Sequence, residues 1–148
     1  MRNPLKTDTS SGLGMLLVRL PMGILFATFG YWKWKNGVDA FATKYITDVP
    51  LSIPRDWGMH YLQAVPYAEM AVGAMLVFGL LTRLAGFVGA AMVVSFMIAE
   101  HLWKQDNMPF HQNFVYVGIL LAVFLVGPGK ISLDGLLFKK RSAPPSGE

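Results

Sequence analysis

Residues 13–32 read LGMLLVRLPMGILFATFGYW, and Arg19 is the only charged residue among them. At a rise of 1.5 Å per residue, about 20 such residues cross the roughly 30 Å hydrocarbon core of a bilayer. The run is longer than the apolar core of a secretory signal, and it continues through Tyr31 and Trp32 to Lys33 without a cleavage site of small residues. It therefore predicts a retained first membrane span.

The composition of the whole chain also favours lipid as its surroundings. Of the 148 residues 53% are hydrophobic and only 15% are charged, whereas a soluble domain carries about 25% charged residues. Three further apolar stretches cover residues 64–81, 84–103 and 113–127. Four such segments leave too little chain to cover them in a soluble fold. We therefore predict an all-α, four-helix transmembrane bundle that forms a single membrane domain over residues 1–148. Pro66 is expected in the first turn of the second span, and residues 142–148 are expected to form a disordered tail.

The polar connection between the first two spans contains a helical pattern. Val38, Phe41, Ala42, Tyr45 and Ile46 follow the spacing i, i+3, i+4, i+7 and i+8, which lines one face of a helix. The pattern predicts a short amphipathic helix at the membrane surface, in the first outer loop. The alternative is a partly ordered loop.

The distribution of lysine and arginine sets the predicted orientation. With four spans, the termini and the short turn at Thr82-Arg83 share one side, which carries seven basic residues against five on the other. The positive-inside rule places that side, with both termini, in the cytoplasm. All four tryptophans then fall at the outer interface, as an aromatic belt does: Trp32, Trp34, Trp57 and Trp103.

The chain has no cysteine, which excludes thiolate-held iron–sulfur clusters, c-type haem attachment and disulfides within it. Its net charge of +4 is concentrated at segment ends and in the tail rather than along an aromatic-interleaved stripe. That distribution predicts membrane anchoring and no nucleic-acid binding.

Ionisable residues within the spans are the candidates for a functional site. A charge at the centre of a membrane helix costs about 2.5–3.5 kcal/mol on insertion scales, so such residues usually face the bundle interior. Six polar residues are singled out, most of them towards the outer half of the bundle: Arg19, Glu69, Glu100, His101, His111 and Asn113.

Two interpretations of these residues stay open. In one, Glu69 forms a structural pair with Arg19, and the remaining residues lie at solvated helix ends. At 1.5 Å per residue, Glu69 and Arg19 are about 13 Å apart along the membrane normal. In the other, the polar residues line a pocket in which a carboxylate and an imidazole exchange protons with a bound hydroxyl or carbonyl compound.

A metal site is not favoured by this set of side chains. Glu100 and His101 are adjacent and project about 100° apart on a helix, so they do not readily share one ion. The chain also has no Glu-x-x-His pair of the kind that di-iron bundles use. We therefore predict no metal.

Several segments, taken together, resemble the DoxX/DoxD family of small membrane proteins. The first span, from Leu16 through Arg19 and Gly23 to Lys33, looks like the opening helix of that family. Glu69-Met-Ala-Val-Gly73 and the turn Gly79-Leu-Leu-Thr-Arg83 resemble its second helix and short basic hairpin, and Gly127-Pro-Gly-Lys-Ile-Ser-Leu-Asp134 is similar to its closing signature.

The resemblance implies a prokaryotic cytoplasmic membrane protein linked to quinone chemistry, because the DoxD member forms part of a thiosulfate:quinone oxidoreductase that has a separate soluble partner. On this hypothesis Glu69 and His101 are the proton-exchanging catalytic groups, and the supporting ligand-binding residues are Arg19, Glu100, His111 and Asn113. A non-catalytic accessory subunit of a larger membrane complex is the alternative function, and small-solute transport by a homo-oligomer is a weaker third.

Overall fold

The computed structural model describes residues 10–49, 53–103 and 112–137. In these three ranges the chain is helical and has no strand, which confirms the all-α prediction there. The elements in chain order are α1 (Ser10–Lys35), α2 (Val38–Tyr45), a 3-10 turn (Ile46–Asp48), α3 (Arg55–Phe78), α4 (Thr82–Trp103), α5 (Asn113–Val126) and α6 (Leu133–Leu137). The predicted tail at 142–148 lies outside the described residues.

Two helices of the described part are long and apolar enough to cross a bilayer, at Gly12–Lys35 and Arg55–Phe78. Their most apolar windows are only 33% and 39% buried, whereas the core helix of a soluble protein is mostly buried. Two shorter apolar helices, Thr82–Ile98 and Asn113–Val126, accompany them. The apolar surfaces therefore face outward, as expected of a helical protein surrounded by lipid.

Glycines let α1 and α3 approach at backbone distance. A Cβ added at Gly30 would lie 2.5 Å from the carbonyl oxygen of Pro66, and one at Gly23 would lie 2.8 Å from the backbone nitrogen of Val77. Helices in lipid pack through such small residues because no hydrophobic force drives them together. Gly23 and Gly30 therefore permit the close packing of α1 on α3.

A second close pair is formed by α4 and α5. A Cβ at Gly86 would lie 2.8 Å from the carbonyl oxygen of Leu120, so this glycine lets the two helices approach at backbone distance. The described helices thus form two closely packed pairs, α1 with α3 and α4 with α5, joined by a smaller contact between α3 and α4.

The start of α3 corrects one prediction. The second span was expected at 64–81 with Pro66 in its first turn, but the helix begins at Arg55, directly after Pro54. Asp56 lies in the first turn, where a carboxylate interacts favourably with the helix dipole. Pro66 is therefore inside the helix, a position that membrane helices tolerate because neighbouring groups satisfy the freed backbone. The helix ends at Gly79, whose φ of 68° suits a residue without Cβ.

The helix predicted between the first two spans is present as α2. Its residue Ala42, together with Ile46 of the turn that follows, is buried against Leu62 of α3. Gln63 of α3 also donates a hydrogen bond to Asp39 at 2.8 Å. These contacts fold α2 back onto α3 and place it beside the last turns of α1.

Candidate functional site

A buried ion pair joins α1 and α3. The ammonium of Lys33, near the end of α1, donates a hydrogen bond to Oε1 of Glu69 on α3. The Glu69 side chain is 4% exposed and that of Lys33 is 25% exposed. The second carboxylate oxygen of Glu69, Oε2, has no hydrogen-bond partner among the described residues. A buried carboxylate with one unused acceptor is an incompletely satisfied polar group, and such groups are uncommon in folded proteins.

Two aromatic rings hold the ammonium of Lys33 in place. Its Nζ lies 5.1 Å from the centroid of the Phe41 ring on α2 and 5.2 Å from that of the Phe96 ring on α4. Both distances are within the range of cation–π attraction. Lys33 therefore stands at a junction of α1, α2, α3 and α4, and it connects the buried carboxylate to the surface.

Lys33 also lines a cavity of about 640 Å³ between the end of α1 and α2, here called the α1–α2 groove. Its walls carry four aromatic side chains, Phe29, Trp32, Phe41 and Tyr45. The turn at Gly37, with φ of 98°, brings α2 back beside α1 and so closes one end of the groove. The remaining lining residues are Thr28, Asn36, Ala40 and Lys44.

Arg19 lies in the opposite half of α1, about 21 Å from Lys33 at 1.5 Å per residue. Its side chain is 1% exposed. The guanidinium donates one hydrogen bond to the carbonyl of Pro128 at 2.5 Å and another to the carbonyl of Ile131 at 2.9 Å. These carbonyls belong to the non-helical segment between α5 and α6, so Arg19 satisfies backbone acceptors that no helix satisfies.

Asp134 completes the same cluster from the start of α6. Its carboxylate accepts hydrogen bonds from the backbone N–H groups of Leu81 and Thr82, both at 2.8 Å, and so caps the first turn of α4. It also attracts Arg19 electrostatically. We call Arg19, Thr82, Pro128, Ile131 and Asp134 the Arg19 cluster.

The structural pair considered between Arg19 and Glu69 does not form. Glu69 pairs with Lys33, and the hydrogen bonds of Arg19 go to backbone carbonyls beyond α5. The two charges lie in different halves of the helices and have different counter-groups, so the predicted pairing of Glu69 with Arg19 is wrong, whereas the interpretation of the remaining residues as solvated helix ends stays a prediction. A ligand-binding role for Arg19 stays a prediction; its hydrogen bonds are structural.

The other candidates are placed only in part. Glu100 and His101 belong to the last turns of α4, but their side chains, like the whole of His111, lie outside the described part of the chain. Asn113 is half-buried at the first residue of α5. No group of three metal-ligating side chains occurs in the described ranges, which leave out most of the candidate ligands.

Lys33 was not predicted from the sequence as a functional residue. It was assigned to the basic end of the first span, where a lysine normally anchors a helix at the interface. The sequence signal that could identify Lys33 is its predicted depth in the membrane. Lys33 ends the first span on the predicted outer side, and Glu69 lies near the outer end of the second span. A lysine that reaches back by its four-carbon stem can meet a carboxylate at that depth.

The described part of the chain is all-helical, and its outward-facing apolar helices are those of a membrane protein. Residues 14–102 match the DoxX family. The chain belongs to the DoxX family, as the resemblance in its motifs predicts. It is also similar to the inner membrane protein YqjF of Escherichia coli (strain K12), with 28% identity over 131 residues, 86% of this chain and 95% of that protein. No solved structure matches the chain.

The family match covers α1 to α4, and with them the Lys33–Glu69 pair and Arg19. The carbonyl partners of Arg19, Pro128 and Ile131, lie after the matched range. The Lys33–Glu69 pair is therefore contained in the part of the chain that carries the family likeness.

Proposed function

We propose that this protein spans the prokaryotic cytoplasmic membrane four times, with both termini inside, and acts as a quinone-linked subunit of a membrane oxidoreductase. It binds a quinone and helps to pass electrons and protons to it from a donor on the outer side. The inner membrane relative supports the location. The outward apolar surfaces of the described helices support the spans.

The observation that carries the proposal is the buried Lys33–Glu69 pair beside an aromatic cavity. Reduction of a quinone to a quinol takes up two electrons and two protons, so a site for it needs groups that exchange protons next to the ring. A carboxylate with one unpaired oxygen, held beside an ammonium, is such a group. Because the chain has no cysteine to hold a cluster or haem c, the electrons come from a bound organic cofactor, from a substrate or from a partner subunit.

We propose the following roles for the candidate residues. Glu69 exchanges protons, and His101, towards the end of α4 that lies beside the Lys33 end of α1, is the second proton-exchanging group. Glu100, His111 and Asn113 support the ligand by hydrogen bonds. Lys33 joins this set, while Arg19 fixes the opposite end of the helices through backbone carbonyls.

Quinone binding by the purified protein tests the proposal. The wild type in phosphatidylcholine nanodiscs is expected to bind decylubiquinone saturably, and a Glu69→Gln/His101→Ala variant is expected to bind it at least about tenfold more weakly, which corresponds to about 1.4 kcal/mol. Asp56→Asn is the control, because Asp56 is an exposed carboxylate on the same helix as Glu69. If the wild type and the double variant bind equally poorly, the proposal fails.

The second candidate function is a non-catalytic accessory subunit of a larger membrane complex. The observation in its favour is the exposed apolar face of α5, on which Val115 is 61% and Leu125 is 71% exposed. Isolation in a mild detergent distinguishes the two functions. Stoichiometric recovery with a large complex whose activity survives substitution of Glu69 supports the accessory function and contradicts the quinone-linked one.

A further inference from the structure

We infer that the α1–α2 groove is where the quinone ring sits, with the ammonium of Lys33 donating a hydrogen bond to one ring carbonyl. This inference rests on the proposed function and assigns its ligand to one place in the molecule. It also makes Lys33 a residue that contacts the ligand and Trp32 and Ala40 residues that shape its site.

The size and lining of the groove suit a flat apolar ring. Its volume of about 640 Å³ falls within the roughly 300–1,000 Å³ of typical small-molecule pockets. Aromatic side chains line it from both helices, Phe29 and Trp32 from α1 and Phe41 and Tyr45 from α2. Rings placed on two sides offer stacking and edge contacts to a third ring between them.

The ammonium of Lys33 has hydrogen-bonding capacity left for a ligand. An ammonium carries three hydrogens, and Lys33 donates to Glu69 while Phe41 and Phe96 lie against its charge. Rings attract the charge but accept no conventional hydrogen bond, so two ammonium hydrogens of this groove-lining residue remain for an acceptor. A carbonyl oxygen of a ligand satisfies it.

The charge balance favours a neutral ligand over a lipid phosphate. Glu69 offsets the charge of Lys33 at contact distance, which leaves little net attraction for an anion at that point. Lys44, the other cation of the groove, is exposed to solvent and lies 5.2 Å from the centroid of the Tyr45 ring, so water and salt screen its charge. A neutral carbonyl needs a donor and no net charge.

The route of entry also suits a lipid-soluble ligand. Phe29 is 49% and Trp32 is 63% exposed, so the α1 wall of the groove is continuous with the outer apolar surface of that helix. A quinone dissolved in the bilayer reaches the groove sideways without crossing water.

Fluorescence quenching tests the inference, because quinones quench nearby tryptophan. Wild-type protein in phosphatidylcholine nanodiscs is titrated with decylubiquinone. Replacement of the groove tryptophan, Trp32→Phe, is expected to remove most of the saturable quenching, whereas Trp57→Phe, at an exposed site on α3, retains it. Retention of the saturable quenching in Trp32→Phe overturns the inference.

A groove-filling substitution gives an independent readout with a matched control. Ala40 is exposed on α2 and lines the groove, whereas Thr43 is exposed on α2 outside it. Ala40→Phe is expected to weaken decylubiquinone binding at least about tenfold and Thr43→Phe less than about twofold, since only the first occupies ligand space. Both substitutions are on the surface and leave the ion pair intact.

The outcomes separate this inference from the proposed function. If Ala40→Phe binds like the wild type while Glu69→Gln/His101→Ala loses binding, the quinone sits elsewhere: the inference is overturned and the proposed function stands. If the wild type shows no saturable binding, the proposed function fails and the inference with it. If Ala40→Phe weakens the association of phosphatidylglycerol with the protein and leaves decylubiquinone binding unchanged, a lipid rather than the quinone occupies the groove and the inference is overturned.

Discussion

Asp134 and Lys33 show how single side chains make buried charge acceptable in this protein. Asp134 accepts hydrogen bonds from two backbone N–H groups at the start of α4 and attracts Arg19 electrostatically. Lys33 meets Glu69 on one side and two aromatic rings on the others. Each charge has a specific counter-group, so removing one member leaves its partner buried without compensation.

The capping of α4 by Asp134 can be tested by removing the carboxylate or replacing it with an amide. Asp134→Ala removes both acceptors for Leu81 and Thr82 and is expected to destabilise the protein by about 1–3 kcal/mol. Asp134→Asn keeps one acceptor oxygen and should cost less. Thermal unfolding of both variants in detergent measures the difference; equal melting temperatures for Asp134→Ala and the wild type would falsify the capping role.

The Lys33–Glu69 pair can be tested by a double-substitution cycle. Lys33→Met leaves the Glu69 carboxylate buried and unpaired, so we expect a loss of about 3–5 kcal/mol in the free energy of unfolding. Adding Glu69→Leu removes the stranded charge and should recover most of that loss. Lys35→Met, at an exposed site two residues further along α1, is the control and should change little. Additive effects of the two substitutions would show that the residues do not interact.

At this scale the sequence identifies which residues matter better than it identifies their partners. Arg19 and Glu69 are conspicuous because a charge in an apolar run is expensive. Their partners depend on how the helices are offset and on a non-helical carbonyl segment, neither of which has a periodic signal. Lys33 is not identified from the sequence, because a lysine at a helix end ordinarily anchors the helix at the membrane interface.

Among the elements, the pair α1–α3 depends most directly on glycine. At Gly30 an added methyl group meets the Pro66 carbonyl oxygen at 2.5 Å, and the two backbones cannot separate without losing contacts along both helices. Gly14, on the same helix, has no neighbouring atom within 4 Å of an added Cβ. The two positions form a matched pair for measurement.

We expect opposite effects from alanine at these two positions. Gly30→Ala should destabilise the protein by about 1–3 kcal/mol, because it overpacks a backbone contact. Gly14→Ala should be neutral or stabilising by up to about 1 kcal/mol, because alanine is the better helix former. Chemical unfolding in detergent micelles measures both. A stabilising effect of Gly30→Ala would contradict the close packing of α1 on α3.

The elements were more predictable than their limits. The periodicity of Val38 to Ile46 predicts α2 correctly, because apolar residues at this spacing line one face of a helix and do not fit the alternation of a strand. The start of α3 was misplaced because Arg55, Asp56 and Trp57 read as a polar connection and Pro66 as a helix opener. The helix begins after Pro54. Its polar first turn is exposed and is stabilised by the interaction of Asp56 with the helix dipole rather than by burial.

On the scale of the whole molecule, two charge clusters hold different ends of the helices together. The Arg19 cluster ties α1 and α4 to the segment after α5, whereas the Lys33–Glu69 pair gathers α1, α2, α3 and α4 about 21 Å away at 1.5 Å per residue. The first lies on the side predicted to be cytoplasmic and the second on the outer side. The proposed electron donor therefore approaches the Lys33 end.

The predicted orientation, with both termini in the cytoplasm, can be tested by labelling single introduced cysteines. Since the chain has no cysteine, single cysteines introduced at exposed positions report their own accessibility. Thr43 of α2 lies beside the first turns of α3, Arg83 of α4 follows its last residue, and both are exposed. If α3 crosses the membrane with its first residue outside, the two positions face different compartments.

In intact spheroplasts, a membrane-impermeant maleimide should label Thr43→Cys and leave Arg83→Cys unlabelled. Permeabilisation should expose Arg83→Cys to the same reagent, which serves as the control for its reactivity. The physical reason is that a charged reagent does not cross the hydrocarbon core, where charge is expensive. The reverse pattern would invert the protein and place the Lys33–Glu69 pair on the cytoplasmic side, and labelling of both positions before permeabilisation would mean that α3 does not cross the membrane.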